Sequence, residues 1–230
     1  MKAEAPVPSK TDLLLQMFAV QKRALAAMIE ADRAARTGDL ITARASYEEQ
    51  IRLGKEHLAL AVLHNEHHPP PTPLEPIVQP TVNAMLMLAD ALQSLGQREE
   101  AHHTRDEAAE LSNAYLLPAA RAETERSLAT ALAGEGRFNE ALVSLMKCRD
   151  HLLQQREPIP LVRVTIDLVD ILNWLGDHAR AMDELKRASA LLTSIPGGPA
   201  PGRDDLVRSA MQGVLDILAG TGTGQCAVDA

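Results

Sequence analysis

A glycine-centred pattern that repeats along the chain constrains its fold more than any other feature of the sequence. The glycine stands at positions 38, 96, 136 and 176, and the last three copies are 40 residues apart. An alanine follows each glycine by five residues, at positions 43, 101, 141 and 181. A small residue precedes each glycine by seven positions, and in three copies a leucine precedes it by four. Such a period indicates a stack of similar supersecondary units.

The offsets of these columns describe two helices joined at the glycine. Columns at −8, −7 and −4 share one face of a helix that ends near the glycine, and columns at +5, +9 and +12 share one face of a second helix. Glycine at this point takes a backbone conformation that closes one helix and opens the next. Small residues at −7 and +5 allow two antiparallel helices to approach closely. Each pair needs a neighbour to cover its second face, so the sequence predicts an all-α solenoid of stacked antiparallel helix pairs.

This pattern resembles the tetratricopeptide repeat (TPR), and the resemblance covers roughly residues 23–194. The Gly-Asp turns at 38–39 and 176–177, the alanine after each turn and the bulky residue four positions further carry it. The repeat spacing exceeds the usual ~34 residues and is closer to the long-helix variants of kinesin light chains and of sensor regions in bacterial signalling ATPases. The resemblance implies a right-handed solenoid whose first helices line a concave groove. It also implies a non-catalytic scaffold or adaptor that binds a partner segment in that groove.

Proline and glycine divide the rest of the chain. We expect a disordered N-terminus over residues 1–10 and a long helical hairpin, a divergent first repeat, over 11–66 with an N-cap at Thr11. Residues 67–80 contain six prolines, which predicts an extended linker without helix. The remaining expected parts are three TPR-like repeats over 81–195, a Pro/Gly linker over 196–202, a capping helix over 203–219 and a flexible tail over 220–230.

Composition narrows the possible functions. The chain of 230 residues has 23 Lys+Arg against 31 Asp+Glu, and this net charge of −8 disfavours binding to nucleic acid or to an anionic membrane surface. Two cysteines are too few for a disulfide framework and favour a reducing compartment. No apolar run approaches the roughly 20 residues of a membrane span, and we expect no signal peptide. The sequence therefore predicts a cytoplasmic protein without a cofactor.

The histidines offer a candidate metal cluster. His64, His67 and His68 lie close together in the sequence, and two of them are spaced to share a helix face. Their spacing differs from the HExxH pattern of zinc hydrolases, in which a glutamate follows the first histidine directly. We therefore expect a solvated helix end, with no catalytic or metal-binding residues. A His-based metallohydrolase is kept as the alternative from another functional class.

A column of acidic residues is the candidate partner-binding site. Six residues before the glycine, the four copies have aspartate at 32, 90 and 170 and threonine at 130, in a column that faces away from the packing columns. We predict a groove that binds a basic protein or peptide segment. The alternative is an ordinary solvated surface in which Arg163 pairs with Asp167. The predicted groove residues are Asp32, Leu86, Met87, Asp90, Arg126, Thr130, Ile166, Asp167 and Asp170.

Two further expectations concern partners. A regulatory or sensor subunit that controls a separate effector is the alternative function within the same fold. The N-terminal segment over residues 13–20 is apolar nearly all round, as is typical of an interface. We predict that it contacts a partner or a second copy in a homodimer, and the alternative is that it packs against the second helix. The residues concerned are Leu13, Leu14, Met17 and Phe18.

Overall fold

The structure is a computed structural model that describes residues 8–155 and 158–193. Over these residues the chain forms eight α-helices joined by turns and short connections. Two compact units divide the chain, the first ending at Thr124 and the second starting at Glu125. The helices are α1 Lys10–Arg36, α2 Leu40–His67, α3 Glu75–Ser94, α4 Arg98–Ala114, α5 Pro118–Gly134, α6 Phe138–Gln155, α7 Pro158–Trp174 and α8 His178–Thr193.

Neighbouring helices pack against one another within each unit. In the first unit, α2 packs against α1 and α3, and α3 packs against α4. In the second unit, α7 packs against α6 and α8. The predicted linker at 196–202, capping helix at 203–219 and tail at 220–230 lie outside the described residues. The all-α class that the sequence predicts is confirmed.

The same turn joins every predicted helix pair, and its glycine has the expected conformation. All four turn glycines have φ between 75° and 78°, a region that costs a residue with a Cβ about 1–2 kcal/mol. The N–H of the residue after each glycine donates to the carbonyl of the −4 column at 2.9 Å in all four copies. This bond closes a Schellman turn, which satisfies a carbonyl left open at the end of the first helix.

The columns predicted to pack between the helices are buried. The alanines at 43, 101, 141 and 181 are fully buried, as are Ala31, Ala89 and Val169 in the −7 column. In the second unit, Val169 and Leu172 on α7 form one cluster with residues of α8. Small side chains at these columns bring the helix axes close together, and the larger residues fill the space beside them.

A close approach between α2 and α3 depends on a glycine inside a helix. A Cβ at Gly54 on α2 would collide with the side-chain hydroxyl of Thr81 on α3. Thr81 is buried, and its hydroxyl donates to the carbonyl of Ile77 at 2.8 Å. Glycine within a helix costs about 1 kcal/mol relative to alanine. The packing of α3 against α2 therefore accounts for a residue that helix propensity disfavours.

The first hairpin consists of the two longest described helices, with 27 residues in α1 and 28 in α2 against 20 in α3. Its N-cap is Ser9 rather than the predicted Thr11, because the Ser9 hydroxyl accepts the Asp12 N–H at 3.2 Å. Beyond α2, the chain folds back on that helix. There the Asn65 side-chain amide donates to the carbonyl of Thr72 at 2.8 Å.

The expectation that residues 67–80 exclude helix is wrong for the second half of this segment. Helix α3 begins at Glu75, six residues before the predicted boundary, and it continues through Pro80. Pro76 lies in the first turn, where a backbone N–H has no partner within the helix to lose. Pro80 removes one helical hydrogen bond. Val78 on the same helix is fully buried, and burial of such side chains offsets that loss.

Candidate functional site

The column six residues before each turn glycine is exposed in all four helix pairs. It consists of Asp32 on α1, Asp90 on α3, Thr130 on α5 and Asp170 on α7. The columns at −7 and −4 are buried, because they lie on the other side of each helix. A partner that approaches the first helix of a pair therefore meets this column, while the packing columns stay inaccessible.

In the first unit, Asp90 is joined to a buried arginine. Arg105 on α4 is 3% exposed, and its Nη2 donates to Asp90 Oδ1 and to Gln93 Oε1, both at 2.8 Å. Burial raises the pKa of the Asp90 carboxyl, and the guanidinium of Arg105 opposes that rise. About half of the Asp90 side chain stays exposed. Asp90 therefore belongs both to the surface and to the contact between α3 and α4.

Sequence reasoning missed Arg105 as part of this site. The residue occupies the +9 packing column, which has tyrosine or leucine in the other copies. A buried guanidinium requires a charged or polar partner. The sequence signal for this contact is an arginine at an otherwise apolar position, with an aspartate 15 residues earlier on the paired helix.

The two aspartates of the first unit form one acidic patch around Tyr47. Burial, and then the negative charges of Asp32 and Asp90, raise the pKa of the Tyr47 hydroxyl. Both carboxylates are therefore close enough to act on the same group, although they come from α1 and α3. Since Arg105 neutralises part of the charge of Asp90, Asp32 is the carboxylate of this patch that is more open to a cationic partner.

The apolar residues predicted beside Asp90 divide between the surface and the core. Met87 is 46% exposed and lies one helical turn before Asp90. Leu86 is 4% exposed and belongs to the core of the first unit, so its prediction as a groove residue is wrong. Consecutive helical residues point about 100° apart, so only one of the two faces solvent.

In the second unit, an ion pair links α5 to α7 beside the acidic column. Arg126 Nε donates to Asp167 Oδ2 at 2.8 Å, and each side chain is about one-third exposed. The ion pair of Asp167 thus runs between helices, whereas the predicted alternative placed it with Arg163 on the same helix. The Thr130 hydroxyl donates to the Arg126 carbonyl at 3.1 Å. Ile166 is partly buried against the core of this unit.

Asp170 on α7 has an unusual carboxyl group. Desolvation, with a smaller contribution from the charge of Asp167, raises the pKa of Asp170 to about 6, whereas a free aspartate titrates near ~4. The folded protein thus disfavours the ionised form, and a cation brought beside the carboxyl would favour it. Groups perturbed in this way concentrate at functional sites.

The N-terminal helix divides its predicted interface residues between two faces. Leu13 and Met17 are buried in the packing of α1, so for this pair the alternative of packing within the chain holds. Leu14 and Phe18 are 44% and 68% exposed. Each pair is spaced by four residues and therefore follows one line along the helix.

The histidines at the end of α2 contact the surrounding chain. The Nδ1 of buried His64 lies 3.4 Å from the Thr72 hydroxyl, and His68 Nε2 lies 3.3 Å from the Pro8 carbonyl. Among residues 8–155 and 158–193, no group of three or more His, Cys, Asp or Glu side chains is arranged to hold a metal ion. No helix in these two ranges is long and apolar enough to cross a membrane.

A cleft of about 550 Å³ opens in the first unit beside the C-terminal half of α2. It lies where α2 continues past the end of the shorter α4, and none of the predicted site residues lines it. Its lining combines apolar side chains with a lysine and a glutamate. The lining residues are Lys55, Leu58, Ala59, Val62, Leu63, Glu66 and Tyr115.

Comparisons with known proteins establish the fold. No protein-family model matches the chain, and no curated protein matches it. The structure is similar to the apo form of RapI, with 10% identity over 94% of this chain and 72% of that one and a TM-score of 0.59. A Podosopora anserina protein described as a kinesin light chain with nearly identical TPR-like repeats is 16% identical, over 88% of this chain and 96% of that one, with a TM-score of 0.52. BtubC (BKLC) from P. vanneervenii is 13% identical, over 92% and 96%, with a TM-score of 0.51. The TPR-like fold predicted from the sequence is confirmed.

Proposed function

We propose that this protein is a non-catalytic interaction scaffold, and that it binds a basic segment of a partner protein on the exposed faces of its first helices. The observation that carries the proposal is the exposure of the −6 column in all four helix pairs, with aspartate in three of them. In each unit, the exposed charged groups of this column attract an oppositely charged segment and set its orientation.

The second unit supplies the electrostatic reason for a basic partner. Asp170 stands beside Asp167, and the fold raises the pKa of Asp170 to about 6. An ammonium or guanidinium group placed between the two carboxyls would favour ionised Asp170. Binding would therefore release a proton near pH 6, and affinity should weaken as the pH falls below the pKa of Asp170.

Exposed apolar side chains beside the acidic column supply contact area. Met87 lies one turn from Asp90 in the first unit, and the partly buried Ile166 precedes Asp167 in the second. Exposed ion pairs contribute only about 0–1 kcal/mol each, so affinity depends on burying such apolar groups. The partner segment should therefore combine lysine or arginine with apolar residues, and its affinity should fall with salt without vanishing.

A selection from a random peptide library tests this function and requires no identified partner. The full chain is immobilised and used to enrich displayed peptides, and the net charge of the enriched set is compared with that of the input. The double variant Asp32→Asn with Asp170→Asn removes two exposed carboxylates from the first helices. The matched control, Glu99→Gln with Asp150→Asn, makes the same change in charge at exposed positions of α4 and α6.

We expect the parent and the control to enrich basic peptides and the double variant to lose that preference. Enrichment of neutral or acidic peptides by the parent would contradict the proposal. Equal loss in the control would show that only net charge matters, which would also contradict a site on the first helices.

A further inference from the structure

The outer face of α1 carries an apolar stripe that no other described helix covers. Four of its side chains are more than two-fifths exposed and follow one line along the helix. Two of them, Leu14 and Phe18, belong to the predicted interface, and the structure extends the line by two further residues. The stripe consists of Leu14 at 44%, Phe18 at 68%, Leu25 at 52% and Ile29 at 58% exposure.

The stripe is separate from the face of α1 that packs in the first unit. The buried residues of α1 include Leu13, Met17 and Val20. At 100° per residue, the centre of the stripe lies roughly 140° around the helix from the centre of the buried face. The exposed side chains therefore take no part in the packing of α1 against α2. Their alignment also distinguishes them from single apolar residues scattered over a surface.

The intervals between the residues of the stripe are the same in both directions along the helix. The intervals between its four residues are four, seven and four positions, so the pattern is symmetric about the midpoint between Gln21 and Lys22. A second α1 running antiparallel would place Leu14 against Ile29 and would repeat that contact by two-fold symmetry. Phe18 would meet Leu25 in the same way. Apolar residues at intervals of four and seven are the spacing with which two helices pack along their length.

Charges at the ends of the stripe fit this arrangement. In the antiparallel register, position 10 of one chain faces Arg33 of the other, and exposed Asp32 lies beside Arg33 on the same flank as exposed Lys10. Arg33 is already paired with Glu30. At the centre, the two Lys22 side chains lie close together on one flank of the two-fold axis, and their like charges oppose association. The contact of Lys10 with Asp32 therefore favours the pairing at each end, and the two Lys22 charges limit its strength at the centre.

The area of the stripe places the expected contact among small interfaces. Its side chains, together with the 64% exposed Leu15 at its border, leave on the order of 100 Å² uncovered each. Pairing two copies therefore removes on the order of 1,000 Å² in total, the lower bound for a specific interface. Because this area is small and the Lys22 charges oppose association, we expect a weak dimer that forms at micromolar or higher concentration.

We propose that two copies of this chain associate through antiparallel α1 helices, with the stripe Leu14–Phe18–Leu25–Ile29 at the two-fold interface. Because Asp32 lies at the end of the stripe, the dimer covers one carboxylate of the acidic patch described above. Self-association would then compete with partner binding in the first unit, although the dimer itself does not depend on the existence of that partner.

Sedimentation velocity of the full chain from 1 to 200 μM tests the dimer. Phe18→Glu should abolish the concentration dependence, and Lys22→Leu should tighten association at least tenfold, because it replaces the opposed charges by apolar contact. Ile41→Glu, which changes a 76% exposed side chain on α2, is the matched control and should behave as the parent does. The melting temperature of each variant verifies that the fold is retained.

Cross-linking tests the orientation. In a Cys226→Ala background, in which Cys148 is buried, Leu14→Cys and Ile29→Cys proteins are prepared separately and then mixed with a short bis-maleimide. Packed helix axes lie about 8–10 Å apart, so the mixture should cross-link, and each variant alone should not.

Four results would overturn the proposal. Lys22→Leu protein that stays monomeric at 200 μM would exclude the interface, and a dimer that survives Phe18→Glu would lie elsewhere on the chain. Cross-linking of Leu14→Cys with itself would indicate parallel helices. A monomeric parent whose melting temperature falls on Phe18→Glu would place another segment of the same chain over the stripe.

Discussion

Removing the Asp90 side chain should destabilise the protein mainly because the buried charge of Arg105 then lacks its carboxylate. Arg105 is buried between α3 and α4, where Asp90 and Gln93 accept its hydrogen bonds at 2.8 Å. Breaking a buried ion pair by deleting one partner costs about 3–5 kcal/mol. Asp90 is about half exposed and Gln93 remains, so we expect a cost of about 2 kcal/mol for Asp90→Ala. For a chain of this size, that corresponds to a fall of roughly 4–8 °C in melting temperature.

The same structure predicts that the cost disappears when the buried charge is removed as well. Leucine occupies the +9 column in the third and fourth helix pairs, so Arg105→Leu should cost less than about 1 kcal/mol. Asp90→Ala in the Arg105→Leu background should then be nearly neutral, which gives a coupling energy of about 2 kcal/mol. Urea unfolding at pH 7 measures all four corners of the cycle.

Asp183→Ala is the control for this cycle, because Asp183 and Lys186 form an ion pair in which both side chains are more than half exposed. It should leave the unfolding midpoint unchanged. An equal cost of Asp90→Ala in both backgrounds would show that the contact between Asp90 and Arg105 contributes nothing to stability, which would contradict this prediction.

Three further substitutions test the turn, the packing and the acidic column. Gly136 has φ of 77°, so Gly136→Ala should cost about 1–2 kcal/mol in urea unfolding and Gly136→Asn clearly less, whereas Gly134→Ala at the end of α5 should not destabilise. Ala141 is fully buried, so Ala141→Leu should cost about 1–3 kcal/mol and Ala141→Ser much less; an unchanged thermal melt for Ala141→Leu would contradict the packing register. Asp170 has a folded pKa of about 6, above its unfolded value, so the parent loses stability as the pH rises through 6. Asp170→Asn should therefore raise the melting temperature at pH 7.5, with the gain vanishing toward pH 4; a gain independent of pH would refute the raised pKa.

Features that depend on one backbone position or on one repeated column could be predicted from the sequence. The turn glycines need positive φ, and the alanines at +5 need to be small, so both appear at a fixed period whatever surrounds them. The exposure of the −6 column followed from the same helical geometry. These requirements are local, and the structure shows them in every helix pair.

Features that depend on two segments meeting could not be derived in this way. The expectation of extended chain up to Pro80 considered the lost hydrogen bond and not the burial of Val78 and its neighbours on α3. Arg105 is a charged residue in a packing column, and its role depends on Asp90, which lies beside it on the paired helix. In the same way, the need for glycine at position 54 is explained only by the close approach of Thr81 on another helix.

In the N-terminal segment, the sequence pattern also could not show which residues of the helix are exposed. An all-round apolar sequence shows that some residues must be buried and does not show which. The contact with α2 selects Leu13 and Met17 for the core and leaves Leu14 and Phe18 outside. The mirror-symmetric stripe became visible only after that choice was known.

The proposal that the exposed acidic column binds a basic segment is tested most directly by following the Asp170 carboxyl itself. The carboxyl carbon of Asp170 is titrated by NMR in the free protein and in complex with a peptide from the display selection. We expect a pKa near 6 in the free protein and a clear fall on binding, with other shifts confined to α1, α3, α5 and α7. An unchanged Asp170 pKa, with peptide-induced shifts on α4, α6 and α8 instead, would contradict it.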